Sequence, residues 1–194
     1  MAYATPDGIG NLRRERLRNA RLYFVCDARP GGEDPEPLLR AALDGGVDVI
    51  QLREKSGDGR LIDRATQTFR RLADTYGVPF FVNDDPDLAV HCRADGVHIG
   101  QDDMSVEEAR SIVGNDALIG LSTHSTEQID AAAGVDHLSV GPVWETPTKQ
   151  GRPAVGLDLV TYAARNTTIP FFAIGGIDPG NVKQVLDAGA RRIC

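Results

Sequence analysis

Asp48-Val49-Ile50-Gln51-Leu52-Arg53-Glu54-Lys55 is an apolar run that turns polar and then charged as it ends. Gly45-Gly46 stops the helical spacing of apolar residues between Leu38 and Leu43 just before it, so the run predicts a short buried strand. Side chains of a strand alternate faces, which places Gln51, Arg53 and Lys55 on one face about 7 Å apart. Leu52 and Glu54 fall on the other, where Glu54 is expected to be structural. An amide and two cations at the end of a strand suit a polyanionic ligand. A solvated strand end would carry the same residues, so the surrounding chain has to decide.

Working outward from this strand, the same unit repeats. Before it stands Arg21-Leu22-Tyr23-Phe24-Val25-Cys26-Asp27, a first buried strand, preceded by a start over residues 1–10 that is expected to be flexible. After it, Leu61, Ile62, Ala65, Phe69, Leu72 and Ala73 form a helical stripe ended by Gly77, and Pro79-Phe80-Phe81-Val82-Asn83-Asp84 is a third strand. Further strands are expected at 96–100, 117–122, 137–141 and 171–176, each followed by a helix. Seven strand-then-helix units at intervals of roughly 20 to 30 residues predict parallel strands joined by right-handed crossovers. No G-x-G-x-x-G follows the first strand, as a dinucleotide-binding sheet would prefer. The predicted fold is therefore α/β, a (β/α)₈ TIM barrel forming a single domain over residues 1–194. An eighth strand should begin at Ala190-Arg191-Arg192-Ile193-Cys194, where the sequence stops. The eighth strand and helix are thus expected to be missing, leaving two unpaired edges.

Composition narrows the partners. The 194 residues carry 21 basic and 28 acidic side chains, a net charge of −7, which argues against nucleic acid or an anionic membrane as the main partner. Cations held in one place can still bind an anion, because exposed charges are screened beyond about 8 Å. Cys26, Cys92 and Cys194 show neither zinc spacing nor a disulfide framework, so a reducing, cytoplasmic setting is expected. The basic run Arg13-Arg14-Glu15-Arg16-Leu17-Arg18 reads as a solvated first helix. Small-molecule substrates are the expected partners, and nothing specifies a surface for a homo-oligomer.

In a parallel barrel the reacting groups sit at the C-terminal ends of the strands. Those ends carry Gln51, Arg53 and Lys55; Asn83 and Asp84; Gln101, Asp102 and Asp103; Ser122; Thr146, Thr148 and Lys149; and Gly175-Gly176. Cations, hydroxyls, carboxylates and glycine backbone are what a magnesium diphosphate site needs. Magnesium takes one or two carboxylates plus phosphate oxygens, and Asp84 with Asp102 or Asp103 can supply them. Asp84-Asp85-Pro86 equally fits a helix cap, and Asp102 and Asp103 fit first-turn charge. Thr146-Pro147-Thr148-Lys149 lies in the longest loop, as a phosphate lid or a proline-braced surface loop. His98 and His137 read as core, while His124 lies near the mouth.

Taken together, Gln51-Leu52-Arg53-Glu54-Lys55, Val82-Asn83-Asp84, His98-Ile99-Gly100-Gln101-Asp102-Asp103, Gly120-Leu121-Ser122, Gly141-Pro142 with Thr146-Pro147-Thr148-Lys149, and Gly175-Gly176-Ile177 resemble the thiamine-phosphate synthase family. The resemblance implies a magnesium-dependent transferase that joins hydroxymethylpyrimidine diphosphate to a thiazole phosphate, releasing diphosphate. It implies that Arg53, Lys55, Ser122 and Lys149 act in catalysis and that the run Gln51, Leu52, Arg53, Glu54, Lys55 binds substrate with Asn83, Ser122 and Lys149. It further implies that Thr146, Thr148 and Gly176 contact the thiazole phosphate, with Pro147 also among the substrate-binding residues, and that Asp84 and Asp103 hold Mg2+. Glu145 departs from the proline often found in the family's lid. Two other readings remain: a thiazole tautomerase of the same barrel family using Ser122-Thr123-His124, and a non-catalytic binder of thiamine phosphate.

Overall fold

The computed structural model describes residues 6–55, 57–146 and 153–194. Seven strands, β1 (Tyr23–Cys26), β2 (Val49–Leu52), β3 (Phe80–Asn83), β4 (Gly96–Ile99), β5 (Leu118–Thr123), β6 (His137–Val140) and β7 (Phe171–Ala173), pair in sequence order. Every pairing is parallel. Helix α1 (Pro6–Asn19) precedes β1, and α2 (Pro35–Asp44), α3 (Gly59–Tyr76), α4 (Pro86–His91), α5 (Val106–Val113), α6 (Thr126–Ala131) and α7 (Gly156–Asn166) lie between successive strands. Helix α8 (Val182–Asp187) follows β7.

The two edges expected to stand open are both engaged. Ile193 forms parallel bridges with Leu22 on one side and Ala173 on the other. The Tyr23 N–H donates to the Ile193 carbonyl at 3.0 Å, and the Cys194 N–H donates to the Ala173 carbonyl at 2.8 Å. Ile193 and Cys194 therefore join β7 to β1 through isolated bridges on both edges.

Alternation along the strands sorts side chains into two shells. Ile50, Leu52, Phe80, Val82, Val97 and Ile99 face outward onto Leu39, Phe69 and Leu72 of the helices. Leu138, Val140, Phe171 and Ala173 do the same against Val160, Ala163 and Val185. Tyr23, Val49, Phe81, Leu118 and Phe172 point inward and pack with Leu17.

Leu17 belongs to α1, which starts at Pro6, inside the stretch expected to be flexible. This helix is no merely solvated face. Arg13 Nε meets Asp95 at 2.9 Å and Arg14 Nε meets Asp136 at 2.8 Å. An aspartate stands immediately before β2, β4 and β6, and each accepts from backbone N–H groups at the start of the preceding strand: Asp48 from Arg21 and Leu22, Asp95 from Phe80, and Asp136 from Ile119. Two of these carboxylates also hold α1, so the helix closes the N-terminal end and leaves the other end as the mouth. Among the described residues no helix is long and apolar enough to cross a membrane.

Candidate active site

A cavity of about 350 Å³ opens at the C-terminal ends of the strands, with Gln51, Arg53, Asn83, Ser122, Thr146 and Gly176 in its wall. Gln51 is buried, and its Nε2 donates to Asn83 Oδ1 at 3.1 Å. Arg53 follows on the same face, its backbone N–H fixed to the Cys26 carbonyl at 2.9 Å.

Beside the cavity, Lys55 Nζ lies 3.9 Å from Asp84 Oδ2, and the Asp103 carboxyl is near enough to raise the Asp84 pKa. Asp85 caps α4, accepting from the Leu88 N–H at 2.8 Å, so Asp84 is not spent on the helix. It has φ 64°, a left-handed conformation that non-glycine residues seldom adopt, and its N–H donates to the His98 carbonyl at 2.8 Å. That bond holds the turn and aims the carboxylate at Asp103. Asp103 is itself oriented by the Gly100 N–H, which donates to Oδ2 at 2.7 Å. Burial first, then the hydrogen bond and charge of Asp103, raise the Asp84 pKa, against the lowering effect of Lys55 and Arg53. Two carboxylates drawn together in this way favour a bound cation, which would relieve their repulsion. Among the described residues no three His, Cys, Asp or Glu side chains gather as a metal cage; a carboxylate pair is the donor set magnesium usually takes from a protein.

Leu52 and Glu54 are not among the residues that line the cavity. Leu52 packs in the outer apolar shell. Glu54 braces the strand end instead: Oε2 accepts from the Ala28 N–H at 3.1 Å and Oε1 from the Lys55 N–H at 2.8 Å. Strand alternation turns both away from the face that carries Gln51 and Arg53.

The opposite wall is backbone. Gly175 and Gly176 have φ 101° and 65°, and a Cβ on Gly176 would fall 2.8 Å from Trp144 Cβ. The loop after β6 is docked against it through the Trp144 N–H, which donates to the Gly175 carbonyl at 3.0 Å. Asn181 Nδ2 holds the Gly176 carbonyl at 2.8 Å. Pro147, Thr148 and Lys149 lie outside the described residues.

His98 and His137 lie within strands, where core positions are expected. Both are buried, but they line the cavity. His98 Nδ1 is 3.2 Å from His137 Nε2, and His98 Nε2 is 3.0 Å from Ser122 Oγ. Ser139 Oγ, also buried, lies 3.3 Å from both Ser122 Oγ and His98 Nε2. The signal was present in the strands: His137-Leu138-Ser139-Val140 alternates polar with apolar, and its apolar members face the helices. His124, near the mouth, engages the Gly141 carbonyl through Nδ1.

The same residues can be compared with known proteins. The family model for thiamine monophosphate synthase matches residues 22–194. A thiamine-phosphate synthase of Thermus thermophilus is 54% identical over 178 residues, covering 89% of this chain and 85% of that protein. One from Acidothermus cellulolyticus is 50% identical over 181 residues, covering 91% and 85%. The solved structure of thiamine phosphate pyrophosphorylase from Pyrococcus furiosus superposes with a TM-score of 0.80 at 34% identity, covering 93% of this chain and 85% of that one. Because the match runs from the residue before β1 to the residues that close the barrel, it takes in every strand end described above, and the chain belongs to the thiamine monophosphate synthase family.

Proposed function

We propose that this protein is a thiamine-phosphate synthase: it transfers the hydroxymethylpyrimidine group from its diphosphate to a thiazole phosphate, giving thiamine phosphate and diphosphate, with loss of carbon dioxide as well where the thiazole is carboxylated. The observation that carries the reading is the meeting of Lys55, Asp84 and Asp103 on one rim, next to a cavity walled by Gln51, Arg53 and Asn83. Asp84 and Asp103 would hold magnesium. When bound, the metal would neutralise charge on the departing diphosphate.

The chain's own residues do the rest. Arg53 and Lys55 bind the diphosphate and stabilise it as it leaves, an electrostatic contribution aimed at charge that grows in the transition state. Gln51 and Ser122 orient the pyrimidine, and Asn83 keeps the Gln51 amide in place. Lys149 joins Arg53 and Lys55 on the pyrimidine diphosphate, and Thr146, Thr148 and the Gly176 backbone bind the thiazole phosphate. The pyrimidine methyl cation released by a dissociative step is captured by the thiazole nitrogen, so no nucleophilic side chain is required.

The test is diphosphate release by purified protein supplied with magnesium and both substrates. Asp84→Asn should lower turnover at least a hundredfold while circular dichroism and the unfolding midpoint stay unchanged; a variant as active as the parent would sink the metal assignment. A tautomerase would make use of His124 and would have no need of Lys55, Asp84 and Asp103. Tight product binding without turnover would favour a binding protein instead.

A further inference from the structure

The buried imidazoles of His98 and His137 have one low-energy proton arrangement. His137 Nδ1 has no hydrogen-bond partner among the described residues, and the ring is enclosed by Tyr23, Phe81 and Phe172, with centroids 5.7, 5.1 and 5.6 Å away. Burial lowers its pKa from 6.5 to about 3, so the ring is neutral. A neutral imidazole carries one N–H. Placed on Nδ1, that proton would be an orphaned donor in an aromatic box, which costs about 1–3 kcal/mol; a bare Nδ1 costs less, since orphaned N–H groups are the rarer case. The proton therefore sits on Nε2 and is donated to His98 Nδ1, 3.2 Å away. His98 must then carry its own proton on Nε2 and donate it to Ser122 Oγ at 3.0 Å. Ser139 donates to the same oxygen at 3.3 Å. With both of its lone pairs taken in this arrangement, Ser122 has only its O–H left to offer, and the residue lines the cavity. Gly120 makes this possible, because a Cβ there would overlap both imidazoles.

We propose that His137 and His98 are positioning residues which fix Ser122 as a hydrogen-bond donor into the cavity, so that this wall takes a ring-nitrogen acceptor of the pyrimidine and rejects a ring that presents N–H or C–H there. The proposal rests on the synthase reading for the identity of the ligand. The donor direction rests on the protein alone.

Two measurements separate these. Two-bond proton–nitrogen correlation spectra of the intact, histidine-labelled chain without ligand should show His98 and His137 both protonated at Nε2; protonation of His98 at Nδ1 would overturn the proposal. Calorimetric titration with hydroxymethylpyrimidine diphosphate and magnesium should then show roughly tenfold weaker binding for His137→Phe, about the value of one neutral hydrogen bond. His137→Gln, whose Nε2 keeps a donor near the same place, should recover most of it, and inorganic diphosphate with magnesium should bind all three alike. An analogue with carbon in place of the accepting nitrogen should lose affinity for the parent and little more for His137→Phe. Equal losses in both would overturn the proposal, and the spectra decide it should the variant fail to fold. Failure of the parent to bind the pyrimidine diphosphate at all would overturn the synthase reading instead.

Discussion

Burial of His137 should leave a signature in the pH dependence of stability. Its side chain is 1% exposed, and burial alone lowers its pKa from 6.5 to about 3. In the unfolded chain it recovers the ordinary value. Between those two values the unfolded state binds a proton that the native state refuses, so stability is fully present above the unfolded pKa and falls as pH drops through the window. The loss at a given pH is RT times the logarithm of the ratio of the two binding polynomials. Moving from about pH 8 to about pH 5 this is close to 2 kcal/mol, almost all of it set by the unfolded-state term, so a native value one unit higher changes the answer by less than about 0.1 kcal/mol. Other groups also titrate over that range, which makes the informative quantity a difference. Reversible urea unfolding should be measured at both pH values for the parent and for His137→Phe, which keeps the ring's volume inside the Tyr23, Phe81 and Phe172 box but cannot bind a proton. The parent should lose about 2 kcal/mol more than the variant on acidification. Equal losses would show that His137 charges in the native state, and the account of a neutral inner ring would be wrong.

Three further perturbations address other parts of the molecule. Asp95→Ala removes a largely buried carboxylate that accepts from Arg13 Nε, Arg70 Nη1 and the Phe80 N–H, leaving the Phe80 N–H unpaired and Arg70 with only the exposed Asp74 and the Arg93 carbonyl; a cost of about 3–5 kcal/mol is expected, a fall of roughly 6–20 °C in calorimetric Tm, with magnesium diphosphate binding at the far end unchanged. A drop under about 1 kcal/mol would mean that α1 does not close the barrel through this carboxylate. Gly176→Ala forces a Cβ onto φ 65° and to within 2.8 Å of Trp144 Cβ; steady-state kinetics should show KM for the thiazole phosphate raised about tenfold, the equivalent of the 1–2 kcal/mol left-handed penalty, while KM for the pyrimidine diphosphate holds. Glu54→Ala frees the N–H groups of Ala28 and Lys55 and should cost about 1–2 kcal/mol in urea unfolding; a loss of substrate affinity with stability intact would return Glu54 to the binding site.

What could be read from the sequence, and what could not, divides along the range of the interactions involved. The seven strands were legible because each is an apolar run punctuated by glycine, proline or aspartate, a signal contained within a few residues. The faces of β2 were legible for the same reason, since alternation alone separates Gln51 and Arg53 from Leu52 and Glu54. Asp84 could not be resolved between a helix cap and a ligand, because the choice depends on Asp85 taking the cap and on a left-handed turn held by the carbonyl of His98. The role of α1 was out of reach altogether: Arg13 and Arg14 find their partners 82 and 122 residues away. The histidines are the instructive case. Their burial was predicted from their place within strands, but burial in a barrel has two meanings, and the outer shell is apolar while the upper inner shell, with Gln51, His98, Ser122 and Ser139, is polar. On a sheet with one wet face, polar residues at alternate positions mark solvent. In a closed barrel sheathed by helices the same alternation marks the lumen, so once the repeating strand-helix units have predicted closure, each polar residue in the middle of a strand becomes a candidate for the cavity wall. Applied here, that inference selects His98, Ser122, His137 and Ser139 from sequence, and it fails only where a glycine such as Gly120 must be absent or present to decide whether two of them can touch.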